Sequence, residues 1–423
     1  MRFALVGGNV FDGTGSPLRP GTSVVVEDSK IVGVSSDRDF GSDTALVDVT
    51  GRTVMPGLID CHQHFGPWFQ MLITEQSRSL MYHACRSIDS LRSILESGTT
   101  SARDLGGLEA GFRDAINDGL IAGPRLKVAL TVLQATNSFE MLPGLGGLIS
   151  PQEMYTKLPA VPANWCDGVD GCRAKVRECL RWGADFIKIL NDQFPSKRLK
   201  LDRSPWTQEE VDAMCDEAHR SGVMVSAHAY RHEAVMTVLR AGVDSIEEGC
   251  FLDEECIQEM AKRQVWYVPC ISCTVWHAES NPDPEGAKYG IQLRDGNIRA
   301  LQLAMEAGVP IACGTDSPMW SGAVARELET MVKVGMSPGD ALASATGRAA
   351  DFIRTADEVG RIKAGLEADL LVINGDPLAE ITVLHDIDRL ELVMQGGKPV
   401  SGSLIPSLPK FPNRLPRVLI GGH

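Results

Sequence analysis

His62 and His64 close an apolar run, Val54-Met55-Pro56-Gly57-Leu58-Ile59-Asp60-Cys61-His62-Gln63-His64. In a strand, residues two apart point to the same side. The run would therefore present two imidazoles together at its carboxyl end. Neutral imidazole is the commonest side-chain ligand for zinc and its neighbours, and two of them make half of a metal site.

Later segments carry further ligand types at the ends of short apolar runs. Lys188 lies in Ala184-Asp185-Phe186-Ile187-Lys188-Ile189-Leu190. A buried ammonium is costly unless paired or neutralised. Carboxylation by carbon dioxide is one solution and makes the lysine an anionic bridging ligand; a head that snorkels to the rim is the other. His228 follows a short strand in Ser226-Ala227-His228-Ala229-Tyr230, as a ligand or as a structural histidine. Asp316 ends Ile311-Ala312-Cys313-Gly314-Thr315-Asp316-Ser317, as a ligand or as a cap for the following helix.

These residues need elements to hold them. Between residues 54 and 357 strand-like and helix-like segments alternate, the pattern of a parallel sheet. Strands are expected before His62 and near Thr99-Thr100-Ser101, Lys127–Leu130, Phe186–Ile189, Val223–Ala227, Ser245–Glu247, Trp266–Val268 and Ile311–Cys313. Eight such units predict an α/β fold, a (β/α)8 TIM barrel, with its chemistry at the carboxyl ends of the strands. Thr207-Gln208-Glu209-Glu210 has the form of a capping box, and Ser337-Pro338 opens another helix with proline in its first turn. Both ends of the chain read as β structure, with hairpins around Asp28-Ser29 and Gly396-Gly397 and a strand in Ala368–Ile373. Residues 1–53 and 358–405 are thus expected to build one composite β-sandwich domain. Residues 54–357 form the barrel, and 406–423 an extended C-terminal tail.

Composition sets the outer bounds. A chain of 423 residues holds one large barrel plus a smaller unit, and 43% hydrophobic with 23% charged residues is ordinary for a globular protein. The net charge of -14 argues against nucleic acid or an anionic membrane as the main partner. No apolar stretch is long enough to span a bilayer, and Met1–Gly8 does not read as a signal peptide. The 11 cysteines have no regular spacing, and Cys61, Cys270 and Cys313 lie in apolar runs as small buried thiols. A reducing, cytoplasmic setting is expected.

Taken together the motifs resemble the amidohydrolase superfamily over nearly the whole chain. The run ending at His64 is similar to that family's first barrel strand, and Gly314-Thr315-Asp316-Ser317 to its eighth. Gly360–Leu370 resembles the return into its sandwich domain. The branch indicated is that of Xaa-Pro dipeptidases, related carboxypeptidases and ochratoxin-hydrolysing amidases. The resemblance implies a metal-dependent hydrolase that cleaves an amide or peptide bond of a small, partly apolar molecule. It implies two divalent ions (zinc, with manganese or iron as alternatives), ligands His62, His64, Lys188, His228 and Asp316, and a carboxylated Lys188 bridging the ions. A hydroxide held between the ions would be the nucleophile. Asp316 would move its proton, and Tyr230 would donate to the developing oxyanion or simply pack. A homo-oligomer is expected as well.

The chain departs from the family after the sixth strand, where Ser245-Ile246-Glu247-Glu248-Gly249 puts Glu248 in place of a metal-binding histidine. Glu248 is either a substitute ligand, favouring harder ions, or the partner of a cation at a site that has lost its second metal. His232 and His277 are minor candidates to replace the histidine; His83, His219, His385 and His423 read as structural or solvated. The loops Asn191–Arg198 and Leu133–Asn137 also differ from the branch. Trp68, Phe69, Phe194 and Trp276, in expected rim loops, suggest an apolar or aromatic substrate part. Competing readings are a cyclic amidase or deaminase of the same superfamily, and a non-hydrolytic or silent relative, for which Glu248 is the main support.

Overall fold

The computed structural model describes residues 1–37, 39–67, 78–136, 138, 161–192, 203–280, 284–317 and 322–408. Trp68, Phe69, Asn137, Phe194, most of the loop after Asp192 and the tail from residue 409 lie outside the described residues.

The amino-terminal strands are β1 (Arg2–Val10), β2 (Arg19–Glu27), β3 (Lys30–Ser35), β4 (Ala45–Asp48) and β5 (Thr53–Pro56). The parallel strands follow: β6 (Leu58–Gln63), β7 (Thr99–Asp104), β8 (Arg125–Val128), β9 (Val132–Leu133), β10 (Phe186–Leu190), β11 (Met224–His228), β12 (Ser245–Glu247) and β13 (Trp266–Val268). Near the carboxyl end come β14 (Leu370–Ile373), β15 (Leu390–Gln395) and β16 (Lys398–Ser401).

Both chain ends share one sheet of order β16-β15-β14-β5-β1-β2-β3, with β4 beside β1. The join is the antiparallel pairing of β5 with β14, Met55 opposite Leu371. Phe3, Leu5, Val24, Val26, Val54, Leu370, Val372 and Leu392 form the core on one side, as alternating inward positions of a strand require.

The middle of the chain is α/β. Its parallel strands run β13-β12-β11-β10-β9 and β6-β7-β8. The third expected strand is broken: the chain bends at Leu130, whose φ is 69°, so β8 and β9 are separate pieces. The eighth is reduced to a single bridge between Ile311 and Tyr267. Its neighbours still hold it. Tyr267 N donates to Pro310 O (2.8 Å), Ala312 N to Tyr267 O (3.0 Å), and Cys61 N to Cys313 O (2.9 Å). Residues 310–313 therefore lie between β13 and β6. Register sets Leu190, His228 and Glu247 side by side at the carboxyl ends of β10, β11 and β12.

The helix Gln208–Arg220 opens with the capping box of Thr207 and Glu210, and Pro338–Ser344 is capped by Ser337. No helix among the described residues is long and apolar enough to cross a membrane.

Candidate metal centre

Strand ends and the first residues beyond them deliver the site. His62 is the fifth residue of β6, and His64 follows its end. Their rings lie 5.5 Å apart, edge to face. Lys188 is in β10 and His228 ends β11. Glu248 and Asp316 come just after β12 and after residues 310–313, where the chain turns sharply: both carry left-handed backbones, with φ of 59° and 48°. Outside glycine such values are uncommon and cost of order 1–3 kcal/mol. Here they turn both carboxylates toward the imidazoles.

The six side chains meet in one buried cluster. Asp316 Oδ1 lies 3.5 Å from His62 Nε2 and 3.5 Å from His64 Nε2. Glu248 Oε1 lies 3.3 Å from His62 Nε2 and 3.7 Å from Lys188 Nζ; its Oε2 is 2.8 Å from His228 Nδ1. Glu248 thus points into the cluster. Within this cluster, and among the described residues, His62, His64 and Asp316 have donor atoms close enough to share an ion.

Second contacts orient the imidazoles. His62 Nδ1–H donates to Glu247 Oε2 at 2.9 Å, and His64 Nδ1–H to the carbonyl of Gly106 at 3.0 Å. Each bond leaves the Nε2 lone pair facing the cluster, as metal-binding histidines require. Glu247 is held in turn by Arg103 Nη2 (2.7 Å) and Ser245 Oγ (2.7 Å). Asp60 binds the amides of His62 and Thr315 and the Thr315 hydroxyl, tying β6 to the turn that carries Asp316. Asp104 accepts from the amides of Phe65, Gly106 and Leu108, fixing the carbonyl used by His64.

The electrostatics suit a cation. His62 Nε2 and Lys188 Nζ are buried and make no hydrogen bond among the described residues. With Nδ1–H engaged, the His62 Nε2 lone pair faces two carboxylate oxygens, a repulsive arrangement unless a proton or metal ion stands between. Burial and Lys188 oppose charge on His62, but Glu248, Asp316 and Glu247 outweigh them and raise its pKa. Burial pushes that of His64 down to about 4, keeping it neutral and able to ligate. Burial also works against ionisation of Glu247 and Glu248. Arg103 and His62 bring Glu247 down to about 2, and His228, Lys188 and His62 hold Glu248 well below the usual carboxylate range. Imidazole nitrogens plus carboxylate oxygens form a donor set that fits a divalent ion such as zinc or manganese.

Tyr230 stacks on His228 with ring centroids 4.3 Å apart, and burial pushes its pKa well above the ordinary value, so the phenol keeps its proton. Trp276 sits on the helix Ile271–Ser280 rather than in a loop, and is 38% exposed. On the same helix, Cys273 Sγ approaches Asp316 Oδ2 at 3.6 Å, and His277 lies in the field of Asp316. His232 is elsewhere, with Asp253 and Cys256. His219 pairs with Asp244 and His385 with Glu329; His83 is buried, and His423 is outside the described residues.

Arg103 and Cys273 were not singled out from sequence, and Glu247 stood there only inside a motif. A charged residue within the small-residue strand Thr99-Thr100-Ser101-Ala102-Arg103 was the available signal for Arg103.

Known proteins show the same build. Residues 53–400 match the Amidohydrolase family. Ochratoxinase of Aspergillus niger is 31% identical over 416 residues, covering 93% of this chain and 86% of that protein. The crystal structure of A. niger ochratoxinase superposes with a TM-score of 0.84 at 28% identity, covering 95% of this chain and 96% of the other. A Xaa-Pro dipeptidase with methionine bound in its active site gives 0.82 at 29% identity, covering 94% and 99%.

Proposed function

The chain belongs to the amidohydrolase family, a metal-dependent hydrolase acting on C–N bonds, and from that premise we propose that the cluster around Glu248 and Asp316 is its active centre. The observation that carries the reading is the convergence of His62, His64, Lys188, His228, Glu248 and Asp316 on one largely buried cluster from five places along the chain. His62, His64 and Asp316 would hold one divalent ion. Glu248, His228 and a carboxylated Lys188 would complete the place for a second. When bound, such ions polarise a carbonyl and lower the pKa of water toward neutrality.

The chain's own groups supply the rest. Asp316, whose side chain is 25% exposed and whose Oδ2 meets Cys273 Sγ at 3.6 Å, would take a proton and pass it to a leaving amine. The Tyr230 hydroxyl, protonated at neutral pH, would donate to a developing oxyanion. Cys250, Phe251 and Leu293 pack around Tyr230 and keep that side dry. Beyond Phe251 an open groove of about 570 Å³ is lined by Arg231, His232, Glu233, Phe251, Tyr289 and Gln292. The name of ochratoxinase, together with the dipeptidase likeness, favours an acyclic amide or peptide bond.

On the same reading, residues 54–357 form a (β/α)8 barrel, closed by the hydrogen bonds at residues 310–313. Residues 1–53 and 358–405 form the composite β-sandwich domain, for which the sheet shared by both chain ends is the support.

The test is a crystal structure with anomalous metal signal, together with hydrolysis of a panel of dipeptides, N-acyl amino acids, cyclic amides and aminopurines. Two ions, extra density on Lys188 Nζ and cleavage of acyclic amides are expected. A plain amine beside fully occupied ions would refute the bridging lysine. Turnover of the cyclic amides or aminopurines alone would refute the substrate class.

A further inference from the structure

Arg103 is a guanidinium sealed inside the protein, 2% exposed. Its Nε donates to Cys61 O (2.8 Å), Nη1 to Ser226 Oγ (3.1 Å) and Nη2 to Glu247 Oε1 (2.7 Å). The rings of Phe186 and Phe352 lie 4.5 and 4.4 Å from its central carbon. One planar group therefore spans β6, β11 and β12 from its place on β7. Of these, β6 and β12 do not pair with each other, so no backbone ladder between them sets their distance. Cys61 directly precedes His62, and Glu247 directly precedes Glu248.

We propose that Arg103 is a positioning residue for the metal centre: by gripping Cys61 O and Glu247 together, it fixes His62 and Glu248 at the separation from which they face a common ion. This rests on the reading of those two residues as ligands. The contact has a second consequence. Glu247 receives Arg103 on Oε1 and His62 Nδ1–H on Oε2, so the guanidinium sets where that acceptor stands and hence the direction of His62 Nε2. Stability alone is a weak account of such a group, because buried ion pairs are often replaced by apolar residues without loss. An apolar residue here would leave Glu247 Oε1 to Ser245 Oγ alone, without the charged donor that fixes its orientation against the imidazole. Lysine, a point charge on a flexible stem, cannot present three donors in one plane.

The experiment measures zinc affinity by chelator competition, and the rise in melting temperature on adding zinc, for wild type, Arg103→Met, Arg103→Lys, Glu247→Gln and Arg103→Met/Glu247→Gln. Loss of outer contacts to a ligating histidine typically weakens metal binding about 10–100-fold. That loss is expected for Arg103→Met and Glu247→Gln, with Arg103→Lys between them and wild type. The double variant should bind about as weakly as the weaker single, because both act through one contact. A merely structural role would lower the melting temperature of the metal-free protein and leave its rise with zinc unchanged. Wild-type affinity in a folded Arg103→Met overturns the proposal. So does additivity in the double variant, or weakening in Glu247→Gln alone. If Arg103→Met does not fold, Arg103→Lys decides: wild-type affinity there overturns the proposal. A wild-type chain that binds no zinc overturns the ligand assignment itself, a result read without any variant.

Discussion

Replacing Glu248 by glutamine keeps the side chain's shape and removes one of three carboxylates around His62. The structure sets the scale. Glu248 Oε1 stands 3.3 Å from His62 Nε2 and 3.7 Å from Lys188 Nζ. At an effective dielectric of about 20, a unit positive charge at those distances is attracted by about 4–5 kcal/mol. A doubly charged ion would feel about twice that before giving up its water. If hydration offsets about two-thirds, roughly 3 kcal/mol remains, or about two orders of magnitude in affinity. The assay is metal content per chain by plasma mass spectrometry, after equilibration with buffered zinc, for wild type, Glu248→Gln and Glu248→His. Glu248→Gln is expected to lose one ion and keep the one held by His62, His64 and Asp316. Glu248→His should keep two and shift toward zinc, since imidazole is the softer ligand. Equal ion counts in wild type and Glu248→Gln, with affinities within about threefold (roughly 0.7 kcal/mol), would refute the reasoning.

Three further outcomes are expected. Asp316→Asn should lower kcat by about 10²–10⁴-fold, since asparagine has no basic oxygen at neutral pH, with circular dichroism unchanged; a loss below about tenfold rules out a proton-moving role. Lys188→Ala should lower metal content and activity together, and full activity at wild-type metal content counts against a bridging lysine. Glu327 is buried and accepts from the amides of Ile271 and Ser272, while burial pushes its pKa from 4.5 up to about 7. A raised carboxyl pKa means that the folded state holds the proton more tightly. Its stabilising contribution is therefore full below about pH 4.5 and is lost as pH rises through about 7, up to about 3 kcal/mol in all. Denaturant titrations from pH 5 to 8 should show Glu327→Gln flattening this slope; an identical slope in both proteins contradicts it.

The members of the cluster were visible in sequence because they sit in local patterns. His62 and His64 share a strand face, Lys188 interrupts an apolar run, and His228 and Asp316 follow short apolar runs. The capping box at Thr207 and the hairpins at both chain ends were legible for the same reason: turn chemistry and period are local. What was hidden is non-local. Arg103 reaches Glu247 across 144 positions, and Thr315 reaches Asp60 across 255. No spacing rule announces such pairs. The break at Leu130 was missed because Val128, Ala129 and Leu130 form an unbroken apolar run with no Gly or Pro, and the left-handed bend comes from tertiary placement rather than residue type. The eighth strand shrank to a bridge because Gly314-Thr315-Asp316 turns early to bring Asp316 into the cluster.

That early turn separates two kinds of selection. Asp316 has a left-handed backbone, a conformation that asparagine adopts at least as readily as aspartate. Exchanging one for the other also withdraws a negative charge from a crowded interior. A library ranked on heat resistance would therefore let Asp316→Asn pass unnoticed or even rise, while on the proposed mechanism every such clone would lack its proton carrier. Thermal screening is blind at this position, and engineering of the scaffold should pair each melting curve with a turnover measurement.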